Sequence, residues 1–133
     1  MSSISWLYLI FSLALLNWLA GMAALKSFLS RTPVIAGTLD LEAFAGLVRR
    51  HMIQALMQAF LLVAGMLLGI YVLASGRAGL LLVLALNGII LAAGLVGKPL
   101  EERARSLKVL DPLLAERYRS ICSIWVEKPF PDF

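Results

Sequence analysis

Apolar residues fill three blocks of the chain, and polar residues separate the blocks. The blocks cover about residues 4–25, 52–74 and 78–96. Each is close to the roughly 20 residues that a helix needs to cross the hydrocarbon core of a bilayer. The pattern predicts an all-α integral membrane protein with three transmembrane helices, whose membrane domain covers residues 1–97.

The second block carries a stripe of polar and small residues. Its members are His51, Gln54, Gln58, Gly65 and Gly69. At about 100° per residue, these five fall within an arc of roughly 60°. Amides and bare glycine backbone gain nothing by facing lipid, so the stripe is predicted to face protein, a ligand or water, with another helix favoured. Gly65 and Gly69 also form a GxxxG sequence, a common helix-packing motif.

The first and third blocks each contain one amide deep in the apolar sequence. Asn17 shares a helix face with small residues, and Asn87 lies in the middle of the third block. Two interpretations stay open for the six candidate residues: they pack helices together, or they line a lumen for a small polar solute. Interhelical hydrogen bonding is the favoured one. The six are Asn17, Gln54, Gln58, Gly65, Gly69 and Asn87.

The connection between the first two blocks is predicted to contain an amphipathic helix over about residues 39–50. Thr38 or Asp40 is suited to cap it, and apolar residues follow at helical spacing from Leu41 to Val48. This helix either continues into the second span or bends near residues 49–51. A continuous helix from about 39 to 74 would be on the order of 54 Å long.

Residues 98–133 are predicted to form an amphipathic helical tail. Pro99 suits the first turn of one helix, and Asp111-Pro112 suits the cap and first turn of a second that ends near Val126. Two positions are open for the apolar stripe of the tail. It lies in the membrane interface, or it packs back on the helix before the second span.

Basic residues predict the orientation of the chain in the membrane. Four lie between the first two spans and seven follow the third, whereas Arg77 alone lies between spans two and three. The positive-inside rule then predicts an outer N-terminus and a cytoplasmic C-terminus, in a multi-pass protein of a bacterial inner membrane. The N-terminus lacks a basic n-region, so the first block is expected to be a retained span. Anionic lipid headgroups are the expected partners of Arg49, Arg50, Arg103, Arg105, Lys108, Arg117 and Arg119.

Composition limits the class of protein and the kinds of binding site that the chain can form. The chain has 133 residues, of which 61% are hydrophobic and 15% charged, and its net charge is +4. Soluble domains carry about 25% charged residues, so a soluble fold is excluded, and the basic excess is assigned to headgroups and not to nucleic acid. Cys122 is the only cysteine, which excludes an intramolecular disulfide or a cysteine metal cluster, and it is predicted to be a small buried residue.

His51 is the one residue of the spans suited to bind a ligand. It is the only histidine and lies at the cytoplasmic edge of the second span. It is a possible axial ligand or proton relay, and the alternative is an interfacial side chain bonded to headgroups or backbone. No charged residue lies in a span core and no catalytic motif is found, so no catalytic residue, metal or cofactor is expected.

Three functional hypotheses follow. The first is a small non-enzymatic membrane subunit that acts by assembly, as a homo-oligomer or with other membrane subunits. The second is an oligomeric channel or carrier lined by glutamine and asparagine. The third is a membrane enzyme or a cofactor-binding subunit that uses His51.

Overall fold

The computed structural model describes residues 2–77 and 79–133 and consists of helices joined by short connections. Three of its helices are long and apolar enough to cross a membrane, which confirms the predicted all-α class with three such helices. The predicted start of the third block, Ala78, lies outside the described residues. The helices are α1 (Ser3–Arg31), α2 (Thr38–Ala74), α3 (Leu80–Arg105) and α4 (Pro112–Glu127).

Short polar side chains start two of the helices. At α1, the Ser2 hydroxyl accepts a hydrogen bond from the Ser5 amide at 3.2 Å. At α4, Asp111 Oδ1 accepts from the Leu113 amide at 2.9 Å, and Pro112 occupies the first helical position. These bonds satisfy amide groups that have no partner inside the helix. The second tail helix predicted from Asp111-Pro112 is therefore confirmed.

Helix α2 is continuous through residues 49–51, so the continuous alternative is the one observed. Its 37 residues extend over about 55 Å at 1.5 Å per residue. Gly37 occupies the N-cap position without a side-chain bond, and Asp40 instead accepts from the Ala36 amide at 3.0 Å. The N-terminal third of α2 thus projects beyond the apolar span.

The prediction that Pro99 begins a helix is wrong, because α3 runs through it to Arg105. Proline lacks an amide hydrogen and leaves the Leu95 carbonyl without its helical donor, yet its fixed φ angle is compatible with a helix. Continuation of α3 also buries Ala104 completely. This burial favours the unbroken helix over a new start at Pro99.

Buried side chains form two clusters, one along the bundle and one at its end. The bundle cluster joins α1 to α3. The end cluster joins the end of α1, the start of α2, the end of α3, and α4. The bundle cluster consists of Leu7, Phe11, Ala14, Val83 and Ile90. The end cluster consists of Leu25, Leu29, Ile35, Leu41, Phe44, Ala45, Val48, Met52, Ala104, Tyr118 and Ile121.

The tail packs back on α2. The Phe44 ring lies 4.9 Å from that of Tyr118 and 6.4 Å from that of Trp125, centroid to centroid. A short parallel strand pair, β1 (Val34–Ile35) with β2 (Lys108–Val109), ties the α1–α2 connection to the α3–α4 connection. Of the two positions open for the apolar stripe of the tail, the structure has the one against α2.

Candidate functional site

The polar stripe of α2 faces α1 and, at His51 and Gly69, also α3 of the same chain. Asn17 Nδ2 donates to Gln58 Oε1 at 3.1 Å and to the Gln54 backbone carbonyl at 3.0 Å. One amide therefore uses both its hydrogens across the helix interface, which satisfies polar groups in a partly buried position.

Two glycines of the stripe lie where neighbouring helices pack closely. A Cβ on Gly65 would lie 3.3 Å from the Phe11 ring, and one on Gly69 would lie 3.0 Å from Val83 Cγ1. Both distances are shorter than ordinary van der Waals contact. Gly65 thus allows close approach to α1, and Gly69 allows close approach to α3.

Asn87 is separated from the other amides. Its Nδ2 donates to the Val83 carbonyl of its own helix at 2.8 Å. It lines an apolar groove of about 350 Å³ between α2 and α3, together with Leu62, Met66 and Leu91. Asn87 and Gln54 are therefore the candidate residues whose side-chain amides make no hydrogen bond between helices in the described residues.

His51 is buried, with 9% of its surface exposed, and pairs with Glu101. Its Nε2 lies 3.0 Å from Glu101 Oε1. The other ring nitrogen, Nδ1, is a buried side-chain atom without a hydrogen-bond partner among residues 2–77 and 79–133. The Trp125 ring packs edge-on against the imidazole, 5.4 Å between centroids.

A cleft of about 270 Å³ borders the His51–Glu101 pair, and we call it the histidine cleft. It is bounded by all three long helices. A second cleft of about 260 Å³ also borders the pair, beside Trp125 and Lys128. The lining of the histidine cleft includes Asn17, Trp18, Gly21, Gln54, Gln58, Leu62, Gly94 and Glu101.

Three of the seven predicted headgroup-binding residues make contacts within the chain. Arg117 pairs with Glu42 at 2.6 Å. The Arg49 guanidinium lies over the Phe133 ring, 5.5 Å from its centroid, and that of Arg105 lies 5.8 Å from the Trp125 centroid. The remaining four, Arg50, Arg103, Lys108 and Arg119, are exposed.

Tyr118 fastens α4 to the end of α3. Its hydroxyl donates to the Ala104 carbonyl at 2.7 Å and accepts from the Leu107 amide at 2.9 Å. Burial raises the pKa of this phenol, and burial likewise raises the pKa of the partly buried Cys122 thiol one helical turn later. Both groups therefore stay neutral near pH 7.

Sequence reasoning missed Glu101 as a partner of His51, because the predicted helix start at Pro99 separates Glu101 from the third span. With α3 continuous, Gly94, Gly97 and Glu101 follow at spacings of three and four and share one face. That spacing is the signal that places a carboxylate beside the bundle.

Comparison with protein-family models, curated proteins and solved structures finds no match to this chain. Among the described residues, no group of three or more His, Cys, Asp or Glu is placed to hold a metal ion.

Proposed function

We propose that this protein is a small non-enzymatic membrane subunit that acts by assembly, and that its first partner is a second copy of the chain. The observation that carries the proposal is the groove between α2 and α3. It is apolar, it is open, and Asn87 lies in it without an interhelical bond. An amide carries donors and an acceptor, so two copies of Asn87 related by a two-fold axis are able to pair with each other.

The surface beside Asn87 suits a close helix contact. Leu84, Gly88 and Leu91 lie within about 100° of Asn87 around α3. All three are exposed, and a Cβ on Gly88 would meet no atom within 4 Å. A neighbouring helix is therefore able to approach the backbone at Gly88 while leucines pack on either side.

A channel lined by the amides has less support. Asn17 and Gln58 bond to each other across the α1–α2 interface. In the described chain this bond occupies the Asn17 donor and the Gln58 acceptor. A channel would need such groups available to the solute. The Asn17–Gln58 part of the stripe is thus an internal contact, and the proposed assembly surface lies elsewhere on the bundle.

The proposed setting is the inner membrane of a bacterium, with the N-terminus outside and the end cluster in the cytoplasm. Helix α1 ends, α2 begins and α3 ends in this cluster. Eleven of the 12 basic residues belong to these segments and to the tail, and Arg77 lies at the other end beside Ser3. This asymmetry supports the orientation. Exposed Arg50, Arg103, Lys108 and Arg119 then meet anionic headgroups.

The assembly proposal is tested by measuring the oligomer in lipid nanodiscs or by single-molecule photobleaching in membranes. Wild-type protein is expected to be dimeric, and Asn87→Leu is expected to shift it towards monomer. The bond of Asn87 is local to α3, so the substitution leaves the monomer fold intact. The matched control is Ser12→Leu, a change of an exposed polar residue in a different groove. A monomeric wild type, or equal dimerisation of both variants, contradicts the proposal.

A further inference from the structure

We propose that the histidine cleft binds the head of a neutral amphiphile through a hydroxyl group donated to His51 Nδ1. The ligand class is an uncharged lipid-soluble alcohol or phenol, which includes glycerides and quinols. This site is independent of the α2–α3 groove, because the two clefts share only Leu62.

The hydrogen bond to Glu101 assigns which nitrogen of a neutral imidazole carries the hydrogen. An ionised carboxylate only accepts, so Nε2 carries the hydrogen that lies between the two groups. In the neutral ring, Nδ1 then presents a lone pair. That atom is buried and has no hydrogen-bond partner in the described chain. A ligand that donates a hydrogen bond to it removes the free-energy cost of an unsatisfied buried acceptor.

The wall around Nδ1 is polar and close. A Cβ on Gly21 would lie 3.7 Å from His51 Nδ1 and 3.1 Å from Gln54 Oε1. Glycine at position 21 therefore keeps a side chain out of the narrow volume beside both groups. The Gln54 side chain makes no hydrogen bond to the residues that the structure describes, so its amide is available to a hydroxyl oxygen bound at Nδ1.

The lining of the cleft is mostly apolar away from His51, and the two amides there, Asn17 and Gln58, bond to each other. Along α2 it extends from His51 to Leu62, eleven residues or about 16 Å of helix. Ala55 and Ala59 line the intermediate turns, and Met22 of α1 adds to the apolar wall. Water gains few partners along such a wall, whereas an amphiphile places its head at the polar end and its chain along the apolar end.

The sole histidine offers a site-specific measurement. Protein labelled with ¹⁵N-histidine is placed in phosphatidylcholine nanodiscs, and its one imidazole is followed by NMR. Decylubiquinol and monoolein are added in separate arms, each matched with its O-methylated ether, which lacks the donor. We expect a saturable upfield shift of the Nδ1 resonance with at least one hydroxyl compound and no such shift with its ether. The arm that responds identifies a quinol or a lipid alcohol as the source.

Cavity-filling variants tie the response to the cleft. Gly94→Leu adds a side chain on the face of α3 that leads to Glu101, where a Cβ meets no atom within 4 Å. It is expected to abolish the shift. Gly46→Leu, at another helical glycine with open space, is the matched control and is expected to retain the shift. Ala59→Leu narrows the cleft from α2 and replaces Gly94→Leu if that variant does not fold.

Three results overturn the proposal. The first is an unmoved Nδ1 resonance with both hydroxyl compounds. The second is an equal shift with the ethers. The third is an equal response in the cleft-filling and control variants.

Discussion

Asn17 donates to Gln58 Oε1 across 3.1 Å, and the two residues lie on neighbouring helices of one chain. This bond makes the Asn17–Gln58 part of the polar stripe an internal contact between α1 and α2. Each single leucine substitution at these positions is expected to lower the free energy of unfolding of the monomer by about 0.6–1.7 kcal/mol. The effects of Asn17→Leu and Gln58→Leu are expected to be less than additive, because each removes the same bond. A double-mutant cycle of thermal or denaturant unfolding in detergent measures this coupling, and strict additivity would contradict the bond.

Gly65 is expected to tolerate no large side chain. Its Cβ position lies 3.3 Å from the Phe11 ring, so Gly65→Leu overpacks the α1–α2 interface and is expected to cost about 1–3 kcal/mol. Gly88→Leu is the matched control, since nothing lies within 4 Å of its Cβ position. Thermal unfolding of monomeric protein in detergent compares the two. Equal melting temperatures would show that Gly65 does not set the helix distance.

Tyr118 is expected to make the fold sensitive to alkaline pH. Burial raises the pKa of its phenol above the ordinary value of about 10. The native state therefore binds this proton more tightly than the unfolded chain does. The resulting stability is fully present below pH of about 10 and is lost as pH rises towards the pKa of the folded state.

The check is the pH dependence of thermal unfolding for the wild type and Tyr118→Phe. The variant loses the bonds to Ala104 and Leu107, so it is expected to melt at a lower temperature near pH 7. Its melting temperature is expected to fall less steeply above pH of about 10, where the wild type loses the contribution of the protonated phenol. Parallel pH profiles for the two proteins would contradict this role.

The proposed orientation predicts which positions react from outside the cell. In a Cys122→Ser background, Ser75→Cys lies between α2 and α3 and is expected to react with a membrane-impermeant maleimide in intact cells. Glu116→Cys, on an exposed position of α4, is expected to react only after permeabilisation. The reverse labelling pattern would show that the topology is opposite to the proposed one.

The all-α class and the three long apolar helices follow from the sequence, because both depend on local periodicity. Three apolar blocks and the Asp111-Pro112 cap require no knowledge of tertiary contacts. The continuation of α3 through Pro99 does not follow from the sequence. It is favoured by the burial of Ala104 against residues that are distant in the chain. Local propensity gives no account of such burial.

Only some of the residues of the candidate site could be predicted from the sequence. His51, Gln54 and Gln58 were recognised by their shared helix face, and Asn17 by its apolar surroundings. Glu101 lies 50 residues from His51, and only the return of α3 beside α2 brings it to 3.0 Å. The packing of the tail was left open for a similar reason, since an amphipathic stripe does not specify whether lipid or protein covers it.

Assembly through α3 is the central claim, and cysteine cross-linking in native membranes tests it most directly. Leu91→Cys, in a Cys122→Ser background, places a thiol on the exposed face beside Asn87. Leu13→Cys, on an exposed position of α1, is the control. Mild oxidation is expected to give a covalent dimer with Leu91→Cys and monomer with Leu13→Cys. Monomer from both variants, or equal dimer from both, would contradict assembly through this face.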